Sequence, residues 1–330
     1  MAKVVLTGIK PTGIPHIGNY FGAIKPAIEM ANNMELNCFY FIADYHALNF
    51  MKNPEELKNL TKELACTWLA CGLNPERVVF YKQSDVSEVT ELTWLLSNVT
   101  PKGLMNRAHA YKASVEKAQS NGDDPDAYVN MGLFNYPILM AADILIMNSK
   151  FVPVGQDQKQ HVEMARDISQ AFNKTYGKNF VVPEELIGKD VGLILGLDGR
   201  KMSKSYNNTI PLFIPEEKLK KLVMSIKTDS SLPTEPKPLD STIFTLFKLF
   251  ALQNEIEIEA QKYAKGLSWA EAKNDLFEVM NNFLGPMRLK YEYYKTHYNE
   301  VEKILADGAK RAKKVAKETL ERARRAVGLN

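Results

Sequence analysis

Val4-Val5-Leu6-Thr7-Gly8-Ile9-Lys10-Pro11-Thr12-Gly13-Ile14-Pro15-His16-Ile17-Gly18-Asn19 opens the chain as a strand, a loop punctuated by glycine and proline, and the start of a helix. The apolar run from Val4 to Thr7 has the length of a buried strand, and the helical spacing that begins at His16 continues to about Met34. A helix N-terminus presents unpaired N–H groups and roughly half a positive charge, so a phosphate placed there needs no dedicated side chain. His16 and Asn19 add donors at that spot. Gly18 lets a ligand approach the backbone, and Gly22 does the same one turn later or eases helix packing. Taken alone, His16 reads more readily as a capping or core histidine than as a ligand-binding one.

The following elements repeat the alternation. Asn37 to Ala43 is a continuous apolar strand of the kind covered on both faces of a parallel sheet, and it ends in the polar Asp44-Tyr45-His46. Asn53-Pro54-Glu55-Glu56 combines a cap, a proline and an acidic first turn, which predicts a helix running to Cys71 and stopping at Gly72. Strands are expected over 78–81, 151–154 and 191–195, with helices from about Ser87 to Asn98, over 136–147 and from Lys159 onward. Strands alternating with helices imply a doubly wound α/β fold with a parallel sheet, Rossmann-like in organisation.

The last of these expected strands feeds Leu197-Asp198-Gly199-Arg200-Lys201-Met202-Ser203-Lys204-Ser205. Asp198-Gly199 is a turn pair, and small Ser203 and Ser205 leave N–H and hydroxyl groups uncovered beside two ammonium groups. Two movable cations here can follow charge as it passes from a triphosphate to departing pyrophosphate. A solvated basic loop is the plain alternative, and the pairing with His16 at the other end of the same α/β unit argues against it.

Tyr136 to Met147 is almost wholly apolar but for Asp143. A desolvated carboxylate costs several kcal/mol unless hydrogen bonds or an opposite charge offset it. Tyr136, Met140 and Asp143 share a helix face, an oily wall bearing one acceptor, suited to a flat apolar group with one N–H. The competing reading gives Asp143 an internal partner such as Arg166, and both stand at this point. Gly155-Gln156-Asp157-Gln158 ends the strand at 151–154; Asp157 fits ribose hydroxyls and Gln158 an amine or carboxylate, with a plain helix cap as the alternative. Gln119 to Asp126 reads as a mobile polar loop, and Lys112 before it as a solvated lysine or a phosphate contact.

Beyond Asn208 the character changes. Prolines 211, 215, 233, 236 and 238 give way to helical apolar spacing (Phe244, Leu246, Phe247, Leu249, Phe250), so we expect a catalytic unit over 1–208 and an all-helical domain over 209–330. The segment 301–330 carries nine Lys/Arg against four acidic residues. Its alanines and leucines recur at helical spacing, predicting a helix docked by one face with a basic face outward.

Composition excludes several classes. Among 330 residues, 42 Lys+Arg against 39 Asp+Glu give +3, too near balance for wholesale nucleic-acid binding, so any basic surface must be local. Cys38, Cys66 and Cys71 sit in apolar runs as reduced core residues, with no metal-ligand spacing. No segment has the run of ~18 uncharged apolar residues of a membrane span, and no signal peptide is apparent. A cytoplasmic protein with no metal site of its own is expected.

With the helix opening at His16-Ile17-Gly18-Asn19 and the Lys201-Met202-Ser203-Lys204-Ser205 loop in hand, the chain resembles the class I aminoacyl-tRNA synthetases. Within that class it looks like the bacterial tryptophanyl-tRNA synthetases, through Asn19-Tyr20, Tyr136 to Leu145 and Val152 to His161. The resemblance implies ATP-dependent attachment of L-tryptophan to tRNA(Trp) through a tryptophanyl-adenylate, with Mg²⁺ accompanying ATP, an anticodon-binding role for the helical domain, and a homodimer. It implies catalytic roles for His16, Asn19, Lys201 and Lys204. It places ATP at Lys10, Pro11, Thr12, Gly18, Asn19, Gly155, Gln156, Asp157, Leu193, Lys201, Met202, Ser203, Lys204 and Ser205. It places tryptophan at Asp143, Met140, Tyr136, Gln158, His46, Val152 and Val154. Lys10 stands where many members have Gln, which leaves open the group that meets the tryptophan carboxylate. Rival readings are a tyrosyl-tRNA synthetase, another adenylyl-transferring enzyme, and an RNA-binding relative without activity. Met140, where archaeal-type tyrosine enzymes usually have Gln, and the retained His16, Lys201 and Lys204 favour the tryptophan reading.

Overall fold

The computed structural model describes residues 3–155, 158–187 and 193–329. Strand β1 (Lys3–Ile9) leads through the first loop to α1 (Ile17–Asn19), which continues through a π-helical turn at Tyr20–Ile24 into α2 (Lys25–Ala31). The expected single helix is thus interrupted. Pro26 has no N–H to give the preceding turn, and the wide turn shifts the bonding there, with Lys25 N–H donating to Tyr20 O. Then come β2 (Leu36–Ile42), α3 (Asp44–Ala47), α4 (Pro54–Ala70), β3 (Val78–Lys82), a 3₁₀ turn at Gln83–Asp85, α5 (Glu88–Ser97), α6 (Lys102–Met105), α7 (His109–Asn121) and α8 (Met131–Ile146). The Asn53 side chain caps α4 by accepting from the N–H groups of Glu55 and Glu56, as its sequence predicts.

After β4 (Phe151–Val154), α9 (Lys159–Tyr176) and β5 (Glu184–Ile187), the sheet is complete, wholly parallel, in the order β3-β2-β1-β4-β5. The expected strand over 191–195 is not its last member. Positions 191 and 192 lie outside the described residues, Leu195 forms only an isolated bridge with Lys201, and β5 pairs with β4 instead. Glu184-Glu185 concealed that strand, because an edge strand tolerates charge: Glu184 pairs with Lys150 and Glu185 with Arg166. The polar stretch expected at 119–126 is helical up to Asn121, where Gly122 ends α7 at φ +75°.

Strands β1 to β3 are buried on both faces. Val5, Tyr40, Ile42 and Phe80 join one apolar cluster with Phe21, Trp68 and, from further along the chain, Phe250, Leu276 and Leu284. Leu6, Phe39, Phe41, Val79 and Tyr81 join a second with the cores of α5, α8 and α9. The remaining helices are α10 (Glu216–Met224), α11 (Thr242–Phe250), α12 (Gln253–Lys265), α13 (Trp269–Thr296) and α14 (Tyr298–Ala326). Through Ala309, Ala312, Ala316 and Ala323, α14 returns to the second cluster and covers edge strand β3. The topological switch falls between β1 and β4, and the crevice beyond their carboxyl ends is where a doubly wound sheet takes its ligand.

Candidate functional site

A cavity of about 590 Å³ opens at that crevice, with β1 residues Thr7 and Gly8 on its floor and the α8 and β4 side chains along one wall. Every side chain expected around tryptophan lines it: His46, Tyr136, Met140, Asp143, Val152, Val154 and Gln158. Lys10, Thr12, Gly18, Asn19, Gly155 and Lys204 line the same cavity. A second concavity of about 630 Å³ adjoins it through Thr12, Gly18, Asn19 and Lys204 and adds His16, Leu193, Lys201, Met202 and Ser203. Pro11 is buried and Ser205 exposed, and neither lines either space; Lys112 lies exposed on α7, also outside both. Gln156 and Asp157 fall outside the described residues.

The helix opening is built as its sequence suggests. His16 N–H donates to the Asn19 side chain at 3.1 Å, and Asn19 N–H donates back to His16 O at 2.8 Å. A Cβ on Gly18 would stand 2.9 Å from the His16 ring, so only glycine lets the imidazole lie over this turn. Burial, assisted by the Lys204 ammonium, pushes the His16 imidazole down to about 4. It is therefore neutral near pH 7, a hydrogen-bonding group rather than a cation.

The cationic loop reaches the opening from the other side. Lys204 Nζ stands at the limit of hydrogen-bond distance, 3.5 Å, from Thr12 O, and a Cβ on Gly13 would meet that nitrogen at 2.6 Å. Burial pushes the Lys204 ammonium down. The loop is pinned by Asn208, which the sequence reading overlooked. Its amide N–H₂ donates to Asp198 Oδ1 at 2.7 Å and to Lys201 O at 3.1 Å, while its Oδ1 accepts from Ser203 N–H at 2.8 Å. Asp198 is held down at about 2 by Asn208 first and then by Arg200.

Asp143 is 5% exposed and is not bare. His46 Nε2 lies 2.9 Å from one carboxylate oxygen, and the Gln83 amide donates to both oxygens at 2.9 Å. The alternative partner, Arg166, is engaged elsewhere, with Pro183 O and Glu185. Of the two readings left open, an internal partner is present, but it is His46 and Gln83 rather than Arg166. A carboxylate offers about four acceptor positions, and these three contacts leave room for one further donor. Burial drives the carboxyl up, against the opposing His46 and Gln83 bonds.

Gln83 is a second residue that the sequence reading overlooked. It is 1% exposed, and its Oε1 accepts from the N–H groups of Tyr45 (3.1 Å) and His46 (3.4 Å). The signal was present, since Gln83 follows β3 just as Asp44 follows β2, at the carboxyl end of a central strand. A second relay orients the opposite end of the wall: Tyr136 Oη contacts His161 Nε2, and His161 Nδ1 contacts Gln158 Oε1 at 2.9 Å. With an amide oxygen as acceptor, Nδ1 carries the proton and Nε2 accepts from the Tyr136 hydroxyl.

The arrangement can hold a flat apolar body with one donor against Met140 and Asp143, and an anionic chain between the helix opening and the lysine loop. Among the described residues no group of three or more His, Cys, Asp or Glu is placed to hold a metal ion, and no helix is long and apolar enough to cross a membrane.

Comparison with known proteins agrees with this chemistry. Residues 2–285 match the family of class I tRNA synthetases (W and Y). A tryptophan–tRNA ligase of Pseudomonas aeruginosa is 50% identical, the match covering all of this chain and 74% of that protein. The crystal structure of Campylobacter jejuni tryptophanyl-tRNA synthetase complexed with ADP and tryptophan superposes with a TM-score of 0.91 at 41% identity, over 99% of this chain and 100% of that one. That of the Mycoplasma pneumoniae enzyme gives 0.80 at 30% identity, over 100% and 99%.

Proposed function

The chain belongs to the class I tRNA synthetases for tryptophan and tyrosine and joins L-tryptophan to tRNA(Trp) at the expense of ATP, and from that premise we propose how its residues divide the work. A tryptophan carboxylate oxygen attacks the α-phosphorus of ATP, the bond to the β-phosphate oxygen breaks, and pyrophosphate leaves. A terminal ribose hydroxyl of the tRNA then attacks the adenylate carbonyl, and AMP departs.

Asp143 accepts the indole N–H, with Met140, Val152 and Val154 on the ring and Tyr136 and Gln158 at the amino-acid head. His46 holds the acid. ATP lies along Lys10, Thr12, Gly18, Asn19, Gly155, Leu193 and Lys201 to Lys204. His16 and Asn19 donate to phosphate oxygens, and neutral His16 does so without adding charge. Lys201 and Lys204 follow the charge that develops on pyrophosphate. No protein nucleophile is needed; catalysis is positioning plus charge stabilisation. Mg²⁺ has no protein cage among the described residues and is placed on the triphosphate, the usual preference of that ion.

Residues 209–330 serve tRNA, with the anticodon as the target. A homodimer is supported by Trp94 on α5, 69% exposed, a ready aromatic anchor for a second copy. The free, buried Cys38, Cys66 and Cys71 support a cytoplasmic location.

The observation that carries this reading is the shared cavity, in which a single wall of oil and one acid faces a lysine and a helix opening. Tryptophan-dependent exchange of pyrophosphate into ATP tests it. Exchange driven by tyrosine instead, or none, overturns it.

A further inference from the structure

A larger concavity, about 670 Å³, lies apart from the reaction site, between α14 and the carboxyl end of edge strand β3. Lys82 borders it from β3, and Lys310, Lys313, Lys314 and Lys317 border it from α14. The spacing i, i+3, i+4, i+7 sets these four on one helix face about a turn apart, where like charges repel. The acids at hand do not neutralise them. Asp85 is 3.3 Å from Lys82, and neither Glu302 nor any of the four α14 lysines has an ion pair among the described residues.

The cations of α14 are sorted by type. Three of its four arginines tie the helix down: Arg311 to the carbonyls of Pro75 and Val78 and to Asp307, Arg322 to Asn179 O and Asn148 Oδ1, Arg324 to Glu91. Of its lysines in the groove, Lys310, Lys314 and Lys317 are exposed and Lys313 is half-buried. The groove is also firm, because Gly308 presses α14 onto the backbone of Phe80. A fixed, unneutralised row of ammonium groups on a chain of net charge only +3 is a local electrostatic footprint for a polyanion.

We propose that this groove holds the phosphate backbone of the substrate tRNA without reading its sequence. The proposal rests on the tRNA-charging function above and names a second contact surface for it. Point-like ammonium groups with no planar partner suit phosphate rather than base recognition.

The test is the variant K310Q/K314Q/K317Q in the full-length protein, assayed with tRNA in aminoacylation and without it in pyrophosphate exchange. The expected result is tryptophan-dependent exchange within about twofold of the parent, and a KM for tRNA raised roughly 10- to 50-fold near physiological salt, with a salt slope smaller by about 2. The charge-preserving K310R/K314R/K317R should retain the parent KM. An unchanged KM and salt slope overturn the inference. So does a KM change accompanied by a changed oligomeric mass, which makes the row a protein interface. Absence of tryptophan-dependent exchange in the parent chain is a different failure, that of the function itself.

Discussion

The Gln83 amide donates to both carboxylate oxygens of Asp143 at 2.9 Å, while its own oxygen accepts from the backbone at Tyr45 and His46. One buried side chain therefore ties the acid on α8 to the elements that follow β2 and β3. A gap at this node leaves polar groups unpaired in a dry wall, which costs about 1–3 kcal/mol. Substituting Gln83→Leu should raise the KM for tryptophan roughly 10- to 100-fold in pyrophosphate exchange and change kcat much less. A lowered kcat with the KM for tryptophan unchanged would assign Gln83 to the fold alone.

Asn208 joins three parts of the cationic loop, and the carboxyl of Asp198 is held low chiefly by it. Asn208→Ala should displace Lys201 and Ser203 and reduce kcat for adenylate formation roughly 10- to 100-fold, since small misplacements in a positioning mechanism are expensive. Tryptophan affinity, measured by fluorescence titration, should stay near the parent value. Wild-type turnover in this variant would show that the loop needs no pin.

Burial and Lys204 depress the His16 imidazole to about 4, below the 6.5 of an unfolded histidine. On acidification the unfolded chain takes up that proton first. The contribution of neutral His16 to stability is thus fully present above pH ~6.5 and is lost as pH falls through about 4. His16→Gln should flatten that part of the curve, read as the change in urea midpoint between pH 7 and pH 4.5. Parallel curves for parent and variant would mean that His16 titrates normally in the fold.

A Cβ on Gly308 would stand 1.8 Å from Phe80 O, a backbone atom that cannot turn aside. Gly308→Ala should lift α14 from β3 and cost about 1–3 kcal/mol, the range of an overpacked contact. Chemical denaturation checks this, and a loss of only a few tenths would contradict so close an approach.

Legibility differed sharply by kind of residue. The strand at 3–9, the cap at Asn53 and the oily face of α8 were readable because each is set by neighbours within a few positions. Edge strand β5 was not, since an edge needs only one paired side and so carries glutamates that a pattern of apolar runs rejects. Gln83 and Asn208 escaped for another reason. Neither forms a motif, and each matters only through partners brought to it by folding: Asp143, 60 residues from Gln83, and Asp198, ten residues from Asn208.

The order of residues alone settled the alternation of strands and helices, the glycines at the helix opening and the lysine-serine loop, because backbone preference and apolar period act locally. It also settled that a lone acid on an apolar face must be matched by something. What matches it was decided only in three dimensions, where β2 and β3 deliver His46 and Gln83 to the carboxylate. The reason is the range of the forces: hydrogen bonds act over about 3 Å, and only the packed chain sets which distant groups come that near.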